Sequence, residues 1–145
     1  MKRKFFSFIT ASIILMSCAS TNQQITATLS AESYFARGLQ LFDAGEYESG
    51  IMDFTQVIRL DPNNADAFLN RGVGHERMGN YAQAISDATQ AIRLNSSDAF
   101  AFGNRGNAHL KMGNYTLARA DFQTVLQLRP NATWAKDALS MIAGR

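Results

Sequence analysis

Residues 65–81 read ADAFLNRGVGHERMGNY, and residues 99–115 read AFAFGNRGNAHLKMGNY. The offset is 34, and extending the comparison to 65–98 and 99–132 gives 14 identities in 34 positions. A third, more diverged copy fits residues 31–64, opening AESYFARGLQLFDAGEYESG. A period of this length marks a supersecondary unit that repeats and stacks. Within a copy, apolar residues recur at helical spacing: Tyr34, Leu41 and Phe42 in the first half, Ile51, Phe54 and Ile58 in the second. Gly45, Gly79 and Gly113 stand between the halves, where a left-handed residue past a helix end is wanted. The unit is therefore a pair of helices joined by a tight turn. Each pair has apolar residues it cannot cover alone, so neighbours must stack on it.

The residues at fixed places in each copy resemble those of the tetratricopeptide repeat family. Gly38, Gly72 and Gly106 occupy the small position where the two helices approach, and Tyr47, Tyr81 and Tyr115 open the second helix. Gly50, Ala84 and Ala118 are again small, while Phe54 and Phe122 supply a bulky packing residue that Ala88 replaces in the middle copy. Pro62 and Pro130 close the second helix, with Ser96 in the middle copy. The resemblance runs from residue 31 to 132 without gaps. It implies an all-α fold, a right-handed α-solenoid of three helical hairpins at 31–64, 65–98 and 99–132. Residues 133–145 are expected to cap the last hairpin. In TWAKDALSMIA, residues 133–143, Trp134, Ala138, Leu139 and Ile142 share one side of a short helix, with Lys136, Asp137 and Ser140 elsewhere.

Arg37, Arg71 and Arg105 recur at one position, and Asp53, Asp87 and Asp121 recur sixteen residues after them. One falls on the first helix of a hairpin and its counterpart on the second. Two readings compete: three arginines that bind an anion, or a ladder of ion pairs across the hairpins. The ladder is favoured, because charges leaving water need partners. His75 and His109 also lie 34 apart, where the first copy has Leu41. A shared metal ion needs ligands at ~2.0–2.1 Å, whereas packed helices lie ~8–10 Å apart. Both histidines are therefore read as packing residues, with no metal and no cofactor expected. No base–nucleophile pair or phosphate-binding loop appears, and no catalytic residue is assigned.

In the tetratricopeptide family the first helices line a concave groove at their second, fifth, sixth, ninth, twelfth and thirteenth positions. The resemblance assigns Phe35, Leu39 and Phe42, then Leu69, Asn70, Val73 and Arg77, then Phe100, Asn104, Asn107 and Lys111 to that groove. Asn70 and Asn104 can each donate and accept, which suits a peptide backbone. Some chaperone adaptors of the family clamp a carboxylate with lysine, arginine and asparagine at certain of these positions. Here Phe35, Leu39, Asn70, Phe100 and Asn104 occupy them, and only Asn70 matches. An acidic tail is therefore disfavoured. An apolar strip interrupted by amides suits an extended peptide or an amphipathic helix.

The amino terminus carries a separate message. Lys2, Arg3 and Lys4 precede an apolar run from Phe5 to Met16 of about twelve residues, short of the ~20 a membrane-spanning helix needs. A basic start, a short apolar stretch and a small-residue boundary describe a secretory signal. Leu15-Met16-Ser17-Cys18 resembles a bacterial lipobox, with residues 1–17 removed and Cys18 diacylated. Two or more acyl chains anchor stably where one is marginal. Cys18 is the single cysteine of the chain, so no intrachain disulfide competes for it. Residues 18–30 are polar with isolated apolar residues and read as a tether, of ~20 Å for twelve flexible residues. Ala19 follows the cysteine, where an aspartate retains many such lipoproteins in the inner membrane. The resemblance thus implies the periplasmic face of the outer membrane.

Removing Lys2, Arg3 and Lys4 also changes the charge, from 14 Lys and Arg against 12 Asp and Glu to 11 against 12. The remainder has no basic run, which leaves nucleic-acid binding without electrostatic support. The expected partner is an envelope protein or peptide segment, held by an adaptor that is not an enzyme. An alternative is a pilotin-like assembly factor that escorts an outer-membrane secretin or another envelope client. A third reading is a self-associating structural protein, a homodimer joined through Trp134, Met141 and Ile142.

Overall fold

The computed structural model describes residues 29–144. The signal segment, Cys18 and most of the tether lie outside the described residues. Within them run seven helices and no strand: α1 (Ala31–Asp43), α2 (Tyr47–Leu60), α3 (Ala65–Arg77), α4 (Tyr81–Leu94), α5 (Ala99–Lys111), α6 (Tyr115–Leu128) and α7 (Thr133–Met141). They pair as α1–α2, α3–α4 and α5–α6, each pair stacks on the next, and α7 closes the end against α6.

Every hairpin turns in the same way. Gly45, Gly79 and Gly113 have φ of 80°, 78° and 77°, a region that costs a Cβ-bearing residue ~1–2 kcal/mol. The glycine N–H donates three residues back, to the carbonyls of Phe42, Glu76 and Leu110 at 2.9–3.0 Å. The next residue donates five back, to Leu41, His75 and His109 at 2.8–2.9 Å. This double bond pattern satisfies carbonyls that the end of a helix leaves orphaned. The first helices begin on side-chain caps: Ser30 Oγ accepts from Ser33 N–H at 3.2 Å, Asn64 Oδ1 from Ala67 N–H at 2.9 Å, and Asp98 Oδ1 from Phe100 N–H at 2.9 Å.

Small residues let the helices approach. A Cβ on Gly38 would lie 2.9 Å from Phe54 Cζ, and one on Gly106 would lie 3.1 Å from Phe122 Cε1. Phe54, Val57, Phe122 and Val125 are fully buried from the second helices, among alanines that fill the remaining space. Phe42 does not face the groove, contrary to the sequence expectation. Its ring meets Tyr47 at 5.4 Å and Phe54 at 5.1 Å, both edge-on. It presses against Gly50 and fills the space above Gly74, where a Cβ would lie 2.6 Å from its Cζ. Two absent side chains make room for it between hairpins.

At the far end, Trp134 lies over Gly103, with Cη2 2.5 Å from where a Cβ would stand, and edge-on to Phe122 at 6.5 Å. Ala135 is fully buried beside it, with Ala138 and Leu139 packed on the same cluster. The helix stops at Met141, and Ile142, just past its end, is 1% exposed. Ile142 is therefore closed to a second copy, whereas the other two residues assigned to self-association stay exposed, Met141 at 67% and Trp134 at 38%.

The recurrent arginines and aspartates form three forked pairs. Arg37 Nε and Nη2 donate to the Asp53 oxygens at 2.6 Å each. The corresponding distances are 2.9 and 2.7 Å for Arg71–Asp87, and 3.0 and 2.7 Å for Arg105–Asp121. The aspartates are buried at 4–5% exposure. At each carboxylate two strong donors stand in for the water lost on burial. The arginines also link hairpins: Arg71 Nη1 donates to Thr55 Oγ1 at 3.3 Å and Arg105 Nη1 to Thr89 Oγ1 at 3.4 Å. Among the described residues Arg37, at the first hairpin, has no threonine partner of this kind, and its side chain is 51% exposed against 21% and 24% for the other two.

His75 and His109 pack beside these pairs, with His75 Nε2 4.0 Å from Asp87 Oδ2. Both Nδ1 atoms are buried with no hydrogen-bonding partner among the described residues. Burial pushes both imidazoles below their ordinary pKa, against the upward pull of Asp87 and Asp121. Among the described residues no three metal-ligating side chains cluster.

Three outcomes follow for stability. Asp87→Ala should cost about 3 kcal/mol, because it strands a guanidinium that is mostly withdrawn from water. Adding Arg71→Ala should then cost less than the sum of the single changes, and strict additivity in thermal unfolding would refute the coupling. Gly103→Val should displace Trp134, the only tryptophan, at a cost of about 1–3 kcal/mol; an unshifted emission spectrum would show that the cap tolerates the added bulk. The unfolded chain should take up protons at these histidines first, near pH 6.5. Stability should be level above that pH, fall as pH drops through it, and level off below the lower folded-state values. His75→Leu with His109→Leu, which copies Leu41, should flatten the fall, as measured by melting temperature between pH 7.5 and 5.

Candidate functional site

The first helices place one side of themselves outward along the stack. On α3 the residues Leu69, Asn70, Val73 and Arg77 lie three, four, seven and eleven places after Asp66, which is one face of a helix. Leu39 on α1 is 40% exposed and Phe100 on α5 is 49% exposed, large apolar surfaces that the fold leaves uncovered. Two cavities open on this side. The first, of about 590 Å³, is lined by Ala31, Glu32, Phe35, Ala36, Leu39, Leu60, Asp61, Asn64 and Asp66. The second, of about 420 Å³, is lined by Val73, Glu76, Arg77, Tyr81, Asn104, Asn107 and Lys111.

Of the eleven residues assigned to the groove, Phe42 turns inward, and Phe35 and Leu39 line the first cavity. Val73, Arg77, Asn104, Asn107 and Lys111 come together around the second. Leu69, Asn70 and Phe100 line neither. Phe35 also belongs to the interior, its ring edge-on to Phe54 at 5.5 Å. Asn70 Nδ2 donates to the Asp66 carbonyl at 2.8 Å, which leaves Oδ1 and one N–H for a ligand. The Phe100 ring carries the guanidinium of Arg129 at 4.3 Å, a cation–π contact that holds the ring in place.

Glu76 and Tyr81 were not foreseen. Glu76 holds the twelfth position of the second repeat, a groove position by the family pattern, so its signal was present in the sequence. Tyr81 opens α4, on a second helix, and reaches the cavity across the turn. Burial raises the Glu76 carboxyl above its ordinary range, while Arg77 and Lys111 pull it back down. The Glu32 carboxyl is held below its ordinary range by hydrogen bonds from the Ser30 hydroxyl and its own backbone N–H. The charges are thus sorted: Glu32, Asp61 and Asp66 surround the first cavity, and Arg77 and Lys111, with Glu76, surround the second. With amides and uncovered apolar rings between them, these groups can bind a chain segment by main-chain hydrogen bonds and side-chain burial.

Tetratricopeptide repeat models match residues 65–98 and 99–132, and a TPR repeat model matches residues 38–79. The second TPR domain of the human RPAP3 protein, solved in complex with the HSP70 peptide SGPTIEEVD, is 37% identical, with a TM-score of 0.76 over 79% of this chain and 96% of that one. The first TPR of Spaghetti (RPAP3), solved bound to the HSP90 peptide SRMEEVD, is 31% identical, with a TM-score of 0.77 over 78% and 90% of the two chains. The Arabidopsis OM64 TPR domain is 26% identical, with a TM-score of 0.77 over 78% and 93%. No curated protein sequence is significantly similar to the chain. The repeat matches run without a break from residue 38 to 132, over hairpins whose turns and ion pairs repeat with them, and the chain belongs to the tetratricopeptide repeat family.

Proposed function

We propose that this chain is a non-catalytic adaptor that holds a segment of a partner protein in the groove of its first helices, at the surface of a bacterial membrane. The observation that carries the reading is the second cavity, where Val73, Arg77, Asn104, Asn107 and Lys111 from two helices surround one opening. The peptide-bound state of the RPAP3 domains supports a segment as the occupant. The peptides in those structures end in Glu-Val-Asp. This chain has Phe35, Leu39, Phe100 and Asn104 where the family's carboxylate clamp has lysine, asparagine and arginine, so its ligand is of another kind. Membrane attachment rests on the lipobox-like sequence at Cys18 and on the polar tether to Ser30. Ala19 favours the periplasmic face of the outer membrane.

One experiment tests both parts. Wild type, Cys18→Ala, and Asn104→Ala with Asn107→Ala are expressed in a Gram-negative host, fractionated, and used to capture partners from envelope extract. Each lost amide should remove a hydrogen bond of ~0.5–1.5 kcal/mol, so the double variant should weaken partner capture by about fivefold to hundredfold while its circular dichroism is unchanged. An unchanged partner set would remove the groove from the account. Cys18→Ala should leave the membrane fraction; a variant still processed and equally sedimentable would refute the anchor. Loss of one client, rather than several, would make the chain an escort for that client.

A further inference from the structure

The order of charges along the groove goes beyond the general adaptor reading, on which it rests. Asp66 and Arg77 both lie on α3, eleven residues apart, which at ~1.5 Å per residue is about 16 Å. Asp66 belongs to the first cavity and Arg77 to the second. Between them the same helix face carries Leu69, Asn70 and Val73. Glu32 reinforces the acidic end from α1, and Lys111 reinforces the basic end from α5. Among the described residues none of Glu32, Asp66, Arg77 and Lys111 forms a salt bridge. The acidic end is also the more apolar one, through Phe35, Leu39 and Leu60. At the basic end the amides of Asn104 and Asn107 stand beside the cations, and Glu76 sets one carboxyl against the two cations Arg77 and Lys111.

We propose that the groove selects an extended partner segment by the order of its charges. A lysine or arginine next to a large apolar residue occupies the cavity of Glu32, Asp66, Phe35 and Leu39. An aspartate or glutamate four to five residues away occupies the cavity of Arg77 and Lys111. The spacing comes from the 16 Å between the two ends, which an extended chain covers in about five residues at ~3.3 Å each. The amides of Asn70, Asn104 and Asn107 bind the main chain between these ends, and Val73 packs under it. Acid in the first turn of a helix and base in the last also suit the helix dipole. A dipole role alone would change stability and leave ligand choice untouched, which separates the two.

The test is selection of a random heptapeptide phage-display library on the immobilised full chain, followed by binding of the synthetic consensus peptide. The recovered peptides should pair a base with an acid four or five positions apart, with an apolar residue beside the base. A peptide of the same composition with its charges exchanged should bind about tenfold more weakly, the size of two partly screened ion pairs. Arg77→Glu with Lys111→Glu should exchange the preference for acid at that end for a preference for base, with helical content retained. Recovered peptides without charge order, bound equally after exchange but lost in Asn104→Ala/Asn107→Ala, would overturn this inference and leave the groove as the binding site. Peptides unaffected by that double variant would overturn both, and a library that yields no binder would overturn the inference.

Discussion

A guanidinium forked onto a buried carboxylate across each hairpin is the contact that sets everything above it. Asp53, Asp87 and Asp121 sit on the second helices with almost no access to water. Such a charge is tolerable only where strong donors replace its hydration, so the partner arginine fixes where the first helix must lie. From the second hairpin onward the same arginine reaches back to a threonine, Thr55 or Thr89, of the hairpin before it. Those threonine hydroxyls have acceptor capacity to spare, and Thr55 donates its own proton to the Ile51 carbonyl at 2.8 Å. One side chain therefore ties three helices. A buried pair of this kind contributes little net free energy compared with apolar packing; its effect here is on alignment.

Alignment is what the groove requires. Most of its lining comes from α1, α3 and α5, helices that are not consecutive in the chain and that meet only because the hairpins stack in register. The second helices take the interior role, with Phe54, Val57, Phe122 and Val125 fully buried. The first helices are thinner at the core, where glycines at 38, 72 and 106 bring them close, and leave some of their larger side chains, Leu39 and Phe100 among them, exposed. That division leaves Leu39, Phe100 and the charged residues at the two ends of α3 available to a ligand.

The hairpins were legible because the repeat itself is a measurement: residues that return every 34 positions occupy one environment. The spacing of sixteen between arginine and aspartate identified a contact across the turn for the same reason. Reading failed where a contact belongs to one copy alone. Phe42 holds a groove position by pattern, yet Gly50 and Gly74 leave a hole that draws its ring inward. Ala135, fully buried on the inner side of the cap, looks like any alanine in the sequence. The Phe100–Arg129 contact and the reach of Tyr81 into the second cavity join residues without a shared repeat position. The sorted charges of the groove were visible residue by residue, but the two cavities that give them meaning exist only in the stack.

The central claim is that binding takes place on the first helices and not on the exposed surface of the second. Site-specific photocrosslinking in living cells tests it directly, with a benzophenone amino acid placed at Leu39 or Asn107 in the groove, or at Met52 or Leu117. The latter two are 69% and 52% exposed on α2 and α6, so accessibility alone would favour them. The account predicts that a partner is trapped from Leu39 and Asn107 and not from Met52 or Leu117. Trapping from the second helices, with none from the groove, would contradict it.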